Sequence, residues 1–478
     1  MAERANLRWM FVRKFRSYSG HLGLGLVGMA TSLNVACGSS DNGSSDTGVT
    51  LAVGGTGTGI GYGGQGTAVG GATAAAGAAG NDNQVDLAEK GLCQIAMDCG
   101  TQQIVDTPPV LCTFEVKDSA GAVVYSDHAA IDIRGRTSSN FPKKNYGVEL
   151  RTAESVDNPA NLLGMGGEAD WILDGAWADR SFMRNRLSFG LFRDMNSARW
   201  AAQARYCELT TNGKYAGLYV LLEKVKRDDD RIVLPVDDGT GSTFVVKQDD
   251  DGALKLTLGS GSKWQVVYPS SSVITTTETQ AVQTWLNQLG TALKSTNAAD
   301  TLNLFDPIAL VDWILLEEFS KNIDAYNLSL FFVRNAGARV WVVPWDMDLG
   351  YGQPTLTNAP NDQASGWVYN RTPLITKLSQ NASLRQALGP RWRELRQGIF
   401  SNTAIAARLD GYAAILNADA IARNFALWPI QKVDFSQYYA PYTFYPVASY
   451  AEEVSHFRSW IEQRLAWLDT NIDSYPSQ

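Results

Sequence analysis

The 478-residue chain has only three histidines, five cysteines and no Lys/Arg-rich block in its globular part, and each scarcity excludes something. A formal charge of −8, spread along the chain, gives no electrostatic footprint for DNA or RNA, so nucleic acid is not an expected partner. Imidazoles are few, and Cys93, Cys99, Cys112 and Cys207 lack the spacing of paired CxxC knuckles. A zinc site is therefore disfavoured against two disulfides in an oxidising compartment. Three pairings are open, of which Cys93–Cys99 is the most local. The longest apolar run near the N-terminus, LGLGLVGMATSLNVA, is too short and too glycine-rich for a good membrane span.

That run has another use. Arg8, Arg13, Lys14 and Arg16 precede it and Cys37 closes it, which reads as an export signal over residues 1–37. The segment LNVACGSS resembles a bacterial lipobox, with Asn34 departing from the usual small or aliphatic choice; a lipidated Cys37 would attach the exported chain to a bacterial membrane. Residues 38–83 are almost entirely Gly, Ser, Thr, Ala and Asp and cannot bury enough apolar surface to fold, so they read as a disordered tether. The folded part is expected over 84–478, in the cell envelope or outside the cell.

Its first half, about 107–270, is strand-like: LCTFEVKD, AVVYSD, AAIDIRGR and KKNYGVELR are separated by turn residues, and Asn212-Gly213 marks a hairpin. One helix interrupts it, with Phe182, Leu187, Phe189 and Phe192 at helical intervals after a capping Asp179. From about 271 to 478 the pattern is mainly helical, broken by one short hairpin. The fold class is α+β, a β-rich part followed by a helical part, with a ligand expected in the cleft between them. The aromatic stretch YYAPYTFYPVASY is expected to pack on the last helix, which carries Trp460 and Trp467.

Three stretches could carry chemistry. Along a strand starting at Lys143, Lys144 shares parity with Tyr146, Val148 and Leu150, so it faces inward and needs an anion if that face is core; an edge lysine with its ammonium in water is the other reading. Asp324 follows LVDWILLEEFSKNI at a helix end, where the backbone dipole disfavours a carboxylate. VWVVPWDMDLGYG delivers Asp346 and Asp348 at the mouth of a buried strand, where alternate residues share a face and suit a hard divalent cation. Together they match the parts of phosphoryl transfer: a lysine for phosphates, an aspartate for the acceptor hydroxyl and a later aspartate for metal.

Five blocks then occur in order: IRGRTSSNFPKKNYGVEL, GEADWILDGAWADRSFMRNRLSFGLF, NGKYAGLYVLLEKVKRDDDRI, LLEEFSKNIDAY and PWDMDLGYG. They resemble the CotH (spore coat protein H) family of secreted atypical protein kinases over roughly residues 110–470. The resemblance implies a protein-kinase-like two-lobe fold with a β-rich N-lobe and a mainly helical C-lobe. It also implies ATP with Mg²⁺ or Mn²⁺, and transfer of phosphate to Ser or Thr of exported proteins. It implies Asp324 and Lys144 as catalytic residues, with Lys143 as the fallback phosphate-binding lysine. Asp346, Asp348 and Asn327 would be metal ligands, and Arg134 and Glu223 would lie at the nucleotide. Arg184 is a further candidate for a phosphate or acidic-partner contact. A non-catalytic, surface-displayed binding or adhesion protein of the same fold is the alternative.

Overall fold

Asn212 and Gly213 both take positive φ, 48° and 72°, the pair of angles a tight two-residue hairpin needs, and they join two long strands as their sequence predicts. Around that hairpin a computed structural model describes residues 89–195, 199–248, 255–257, 263–353, 362–368, 372–432 and 443–477. The export signal, lipobox and tether expected over 1–83 lie outside the described residues.

The first strands are β1 (Cys93–Asp98), β2 (Val110–Lys117), β3 (Val123–Arg134) and β4 (Asn145–Arg151). Then come β5 (Ala160–Asn161), β6 (Gly167–Glu168), β7 (Asp170–Asp174), β8 (Ala204–Thr211) and β9 (Lys214–Glu223). In the order β1-β2-β3-β4-β7-β9-β8 they form a closed barrel, and β5 and β6 pair separately. In β1 every second residue is buried, so Cys93, Ile95 and Met97 enter the barrel core beside Phe114, Val116, Trp171 and Leu221. The barrel closes where β1 runs parallel to β8, with Cys93 opposite Cys207.

Those two cysteines are bonded, as are Cys99 and Cys112, so β1 is stapled to both of its neighbours. The local Cys93–Cys99 pairing does not form: six residues of extended strand separate the two by roughly 20 Å, far beyond the reach of a disulfide. The β-rich region thus begins at β1 rather than near residue 107.

A second sheet, in the order β11-β12-β10-β13-β14, consists of β10 (Phe244–Gln248), β11 (Lys255–Thr257), β12 (Lys263–Tyr268), β13 (Leu330–Arg334) and β14 (Trp341–Val343). It joins strands from before and after residue 270, so the division expected there falls inside one sheet. The helices are α1 (Arg184–Met195), α2 (Thr276–Lys294), α3 (Ala299–Leu302), α4 (Pro307–Ser320), α5 (Pro373–Ser379), α6 (Ala382–Arg396), α7 (Asn402–Leu416), α8 (Ala418–Leu427) and α9 (Tyr450–Asn471). Their starts follow capping rules: Thr275 and Glu278 form a capping box on α2, and Asp306 caps α4 ahead of Pro307. The chain is therefore mixed α+β, and no described helix is long and apolar enough to cross a membrane.

Helices α1 and α4 lie in one large apolar core with the second sheet and the C-terminal helices. The aromatic stretch before α9 lies partly outside the described residues. Of its visible part, Tyr445 stacks on His456 at 3.7 Å and donates to Glu453 at 2.8 Å. It meets the first half of α9, while Trp460 packs on Tyr351 and Trp467 on Trp367.

Candidate functional site

Helix α4 stops because Lys321 turns left-handed, with φ 45°. The next residues fold into a tight turn that carries Asp324. Strand β14 ends at Val343, and the chain then crosses α1, where Trp345 stacks on Phe189 at 5.6 Å. Asp346 takes φ 61°, and Met347 plunges into the core. Asp346 and Asp348 therefore sit in a turn rather than on a strand, and the alternation expected to align them does not apply. Within that turn Asp346 is exposed and Asp348 half-buried, and the charge of Asp346 acts on Asp348.

The charges of these carboxylates act on one another. Burial pushes the Asp324 carboxyl up to about 7, and the charge of Asp346 adds to the shift. The Asp348 carboxyl is driven well above its ordinary range by burial, then by Asp346, Asp174, Asp179 and Asp324. Asp174, at the end of β7, is raised by burial and by Asp179 and Asp346. Its carboxylate accepts the Ala176 N–H at 2.8 Å, and the Asn185 amide reaches it at 3.5 Å. Among the described residues no hydrogen-bond donor contacts the carboxylates of Asp324 or Asp348. The three aspartates singled out from the sequence thus share one site, with Asp174 added.

Backbone strain gathers at the same place. Of the eleven non-glycine residues with positive φ among those described, Ala176, Phe182, Lys321, Tyr326, Ser329, Asp346 and Tyr351 all lie in the segments that build or flank it. Such conformations cost of order 1–3 kcal/mol each and persist where the surroundings over-determine them.

The two lysines exchange the roles their parity suggested. Strand β4 begins only at Asn145, so residues 143 and 144 are outside the regular alternation. Lys143 is the buried one. Its ammonium donates to the Leu218 carbonyl and to Asn424 Oδ1, under the rings of Phe182 and Tyr219. Burial lowers it to about 7, with Asp174 pulling the other way, so it borders the acidic site through that residue. Lys144 is partly exposed and donates to the Ser139 carbonyl at 2.8 Å. Arg134, opposite Asn145 at the end of β3, also acts on Asp174 and belongs to this border.

Other sequence candidates are engaged elsewhere. Glu223 is fully buried, pairs with Arg231 at 2.6 Å and accepts the Gln203 N–H at 2.8 Å; burial holds it near 7 against the pull of Arg231. Arg184 is fully buried between Asp179 at 2.6 Å and Glu453 at 2.9 Å, a structural tie between α1 and α9. Asn327 is exposed, and its N–H closes the turn on the Asp324 carbonyl at 3.0 Å. Sequence reasoning missed Asp174 and Asn185. Asp174 resembled an ordinary strand exit, and Asn185 a polar residue inside a helix.

Could the site hold a cation? Among the described residues no three Asp, Glu, His or Cys side chains form a ready cage. A pair of hard carboxylate oxygens is what an ion that keeps waters and phosphate oxygens requires, and Asp346 and Asp348 supply that pair. Their mutual repulsion is the kind a cation relieves.

A model of the CotH kinase protein family matches residues 131–468, a span that contains all four aspartates. No curated protein matches the chain.

Proposed function

The chain belongs to the CotH kinase protein family, and from that premise we propose that it is an exported, atypical two-lobe protein kinase. It transfers the γ-phosphate of ATP to Ser or Thr of extracytoplasmic proteins and depends on Mg²⁺ or Mn²⁺. The observation that carries the reading is the gathering of Asp324, Asp346 and Asp348: half-buried Asp324 and Asp348 have no donor among the described residues, and the charge of exposed Asp346, which accepts from the Ser329 hydroxyl at 3.2 Å, acts on both. A folded chain gains nothing from such a cluster unless a cationic ligand shares its charge.

The residues divide the work as follows. Asp346 and Asp348 hold the cation, which supplies charge neutralisation to the phosphates when bound. Asp324 orients the acceptor hydroxyl and receives its proton as the acceptor oxygen bonds to the γ-phosphorus and the bridging oxygen leaves with ADP. Lys143, whose ammonium already borders Asp174, is the better placed of the two lysines to meet phosphate oxygens, with Arg134 beside it. Glu223 has no direct part in binding, because its carboxylate is spent on Arg231. The two disulfides support export, since such bonds persist in oxidising compartments. Attachment through a lipidated Cys37 is part of the same proposal.

One observation favours the rival reading, a non-catalytic displayed binding protein: the Lys143 ammonium is already taken up by Leu218 and Asn424. Incubation with labelled ATP and each divalent ion separates the two. Phosphate incorporation by the wild type that disappears in Asp324→Ala supports the kinase. The binder is supported if incorporation is absent and millimolar ATP with Mg²⁺ or Mn²⁺ leaves the melting temperature unchanged, since a ligand of the folded state must raise it.

A further inference from the structure

The turn that presents Asp346 and Asp348 is held by side chains that none of the site's chemistry has yet used. Met347, between the two aspartates, gives its N–H to Asn185 Oδ1 at 2.8 Å. Asn185 is nine-tenths buried in the first turn of α1, and its amide reaches the Asp174 carboxylate at 3.5 Å. From the other side Asn322, buried at the end of α4, donates to the Asp346 carbonyl at 3.1 Å and to the Met347 sulfur at 3.7 Å. The backbone at Asp346 has φ 61°, in the left-handed region that is uncommon outside glycine. Two asparagines, one in α1 and one just past the cap of α4, hold the turn there.

We propose that Asn185 is a positioning residue that grips the Asp346–Asp348 turn through the Met347 amide, with Asn322 as the opposing grip, and so sets both carboxylates toward one divalent cation. The inference rests on the kinase reading for the identity of the ligand, but not for the grip itself. An asparagine suits this place for a chemical reason: its oxygen accepts from the turn while its nitrogen donates toward Asp174, so one neutral side chain serves a donor and a carboxylate at once. Aspartate would keep the acceptor, lose the donor and add a charge. Alanine would lose both.

Two measurements on the full chain test this. Hydrogen exchange without metal is followed in the peptide containing Met347. Asn185→Ala is expected to lose protection there and Asn185→Asp to retain it, while barrel peptides of β2 and β3 stay as in the wild type. Unchanged protection of Met347 in a folded Asn185→Ala protein overturns the grip whatever the ligand is. Mn²⁺ affinity is then titrated with ATP present, where loss of a supporting residue of this kind weakens binding by roughly 10- to 100-fold. Asn185→Ala is expected to weaken Mn²⁺ within that range. Wild-type Mn²⁺ affinity in that variant overturns the role in cation binding even if exchange changes. Absence of any Mn²⁺ binding by the wild type, with the exchange result as expected, refutes the kinase reading and that role while leaving the grip standing. Should Asn185→Ala fail to fold, Asn322→Ala, which removes the opposing grip on the Asp346 carbonyl, carries the same comparisons, with Asn185→Asp as the variant that keeps protection.

Discussion

Two clusters of charge meet helix α1, and they are kept in opposite ways. In the first, Arg180 and Arg184 face Asp179 and Glu453, two positive groups against two negative ones, with ion-pair distances of 2.6 to 3.0 Å and further bonds from Tyr445 and Gln353. In the second, Asp174, Asp324, Asp346 and Asp348 repel one another, and burial holds the carboxyls of Asp174, Asp324 and Asp348 above their ordinary range. The first cluster is complete and ties α1 to α9. The second is incomplete in charge, and the contrast separates residues that hold the fold from residues to which the proposed function gives a cation.

The comparison can be broken or sharpened by substitution. The largest effect belongs to the incomplete cluster: Asp346→Ala should lower labelled-phosphate transfer at least about 10²-fold, as loss of one charge-organising group does in other enzymes, with the melting temperature kept. Transfer at the wild-type rate would remove Asp346 from the chemistry. Next, breaking the complete cluster with Glu453→Ala leaves two buried guanidiniums short of a partner and should cost about 3–5 kcal/mol in denaturant unfolding. A loss under about 1 kcal/mol would mean the pairs are spectators.

Much of this could be read from the residues in order, and the reasons are local. The Asn212-Gly213 turn, the Asp179 carboxylate that accepts the first N–H of α1 at 2.8 Å and the spacing of Asp324, Asp346 and Asp348 around a hairpin depend on neighbours in sequence. What was illegible depended on partners far away or on where an element begins. Lys143 rather than Lys144 is buried because β4 starts at Asn145, one residue too late for strand parity to govern either lysine. Cys93 finds Cys207 only because β1 lies parallel to β8 across 114 positions of chain. The pairing of Glu223 with Arg231 was illegible because the fold that buries the two together has no signature in their spacing.

A third prediction concerns pH. The Asp324 carboxyl sits at about 7 in the folded chain against an ordinary 3.8, so the folded state binds that proton more tightly than the unfolded state. Its contribution to stability therefore falls as pH rises from about 4 to about 7, and the cost is fully present above 7. Asn in its place carries no charge, so Asp324→Asn should be more stable than wild type at pH 8, by on the order of 2 kcal/mol. The gain should shrink toward pH 4. Equal unfolding midpoints at pH 8 would show that the carboxylate is not penalised. The smallest effect is expected at Asn327, exposed beside the site: Asn327→Ala should shift stability by no more than about 0.5 kcal/mol and leave metal dependence unchanged. A loss of metal dependence would restore it as a ligand.

The family segment begins at residue 131, inside β3, whereas the strand that seals the barrel lies upstream of it. A fragment trimmed to that segment would lack β1, β2 and most of β3. It would present the bare edges of β4 and β8 to other chains, an invitation to aggregate, and would leave Cys207 with a free thiol. Any soluble preparation of this protein should therefore start no later than Glu89, whose carboxylate pairs with Arg186 at 2.6 Å, and should be made where thiols can oxidise.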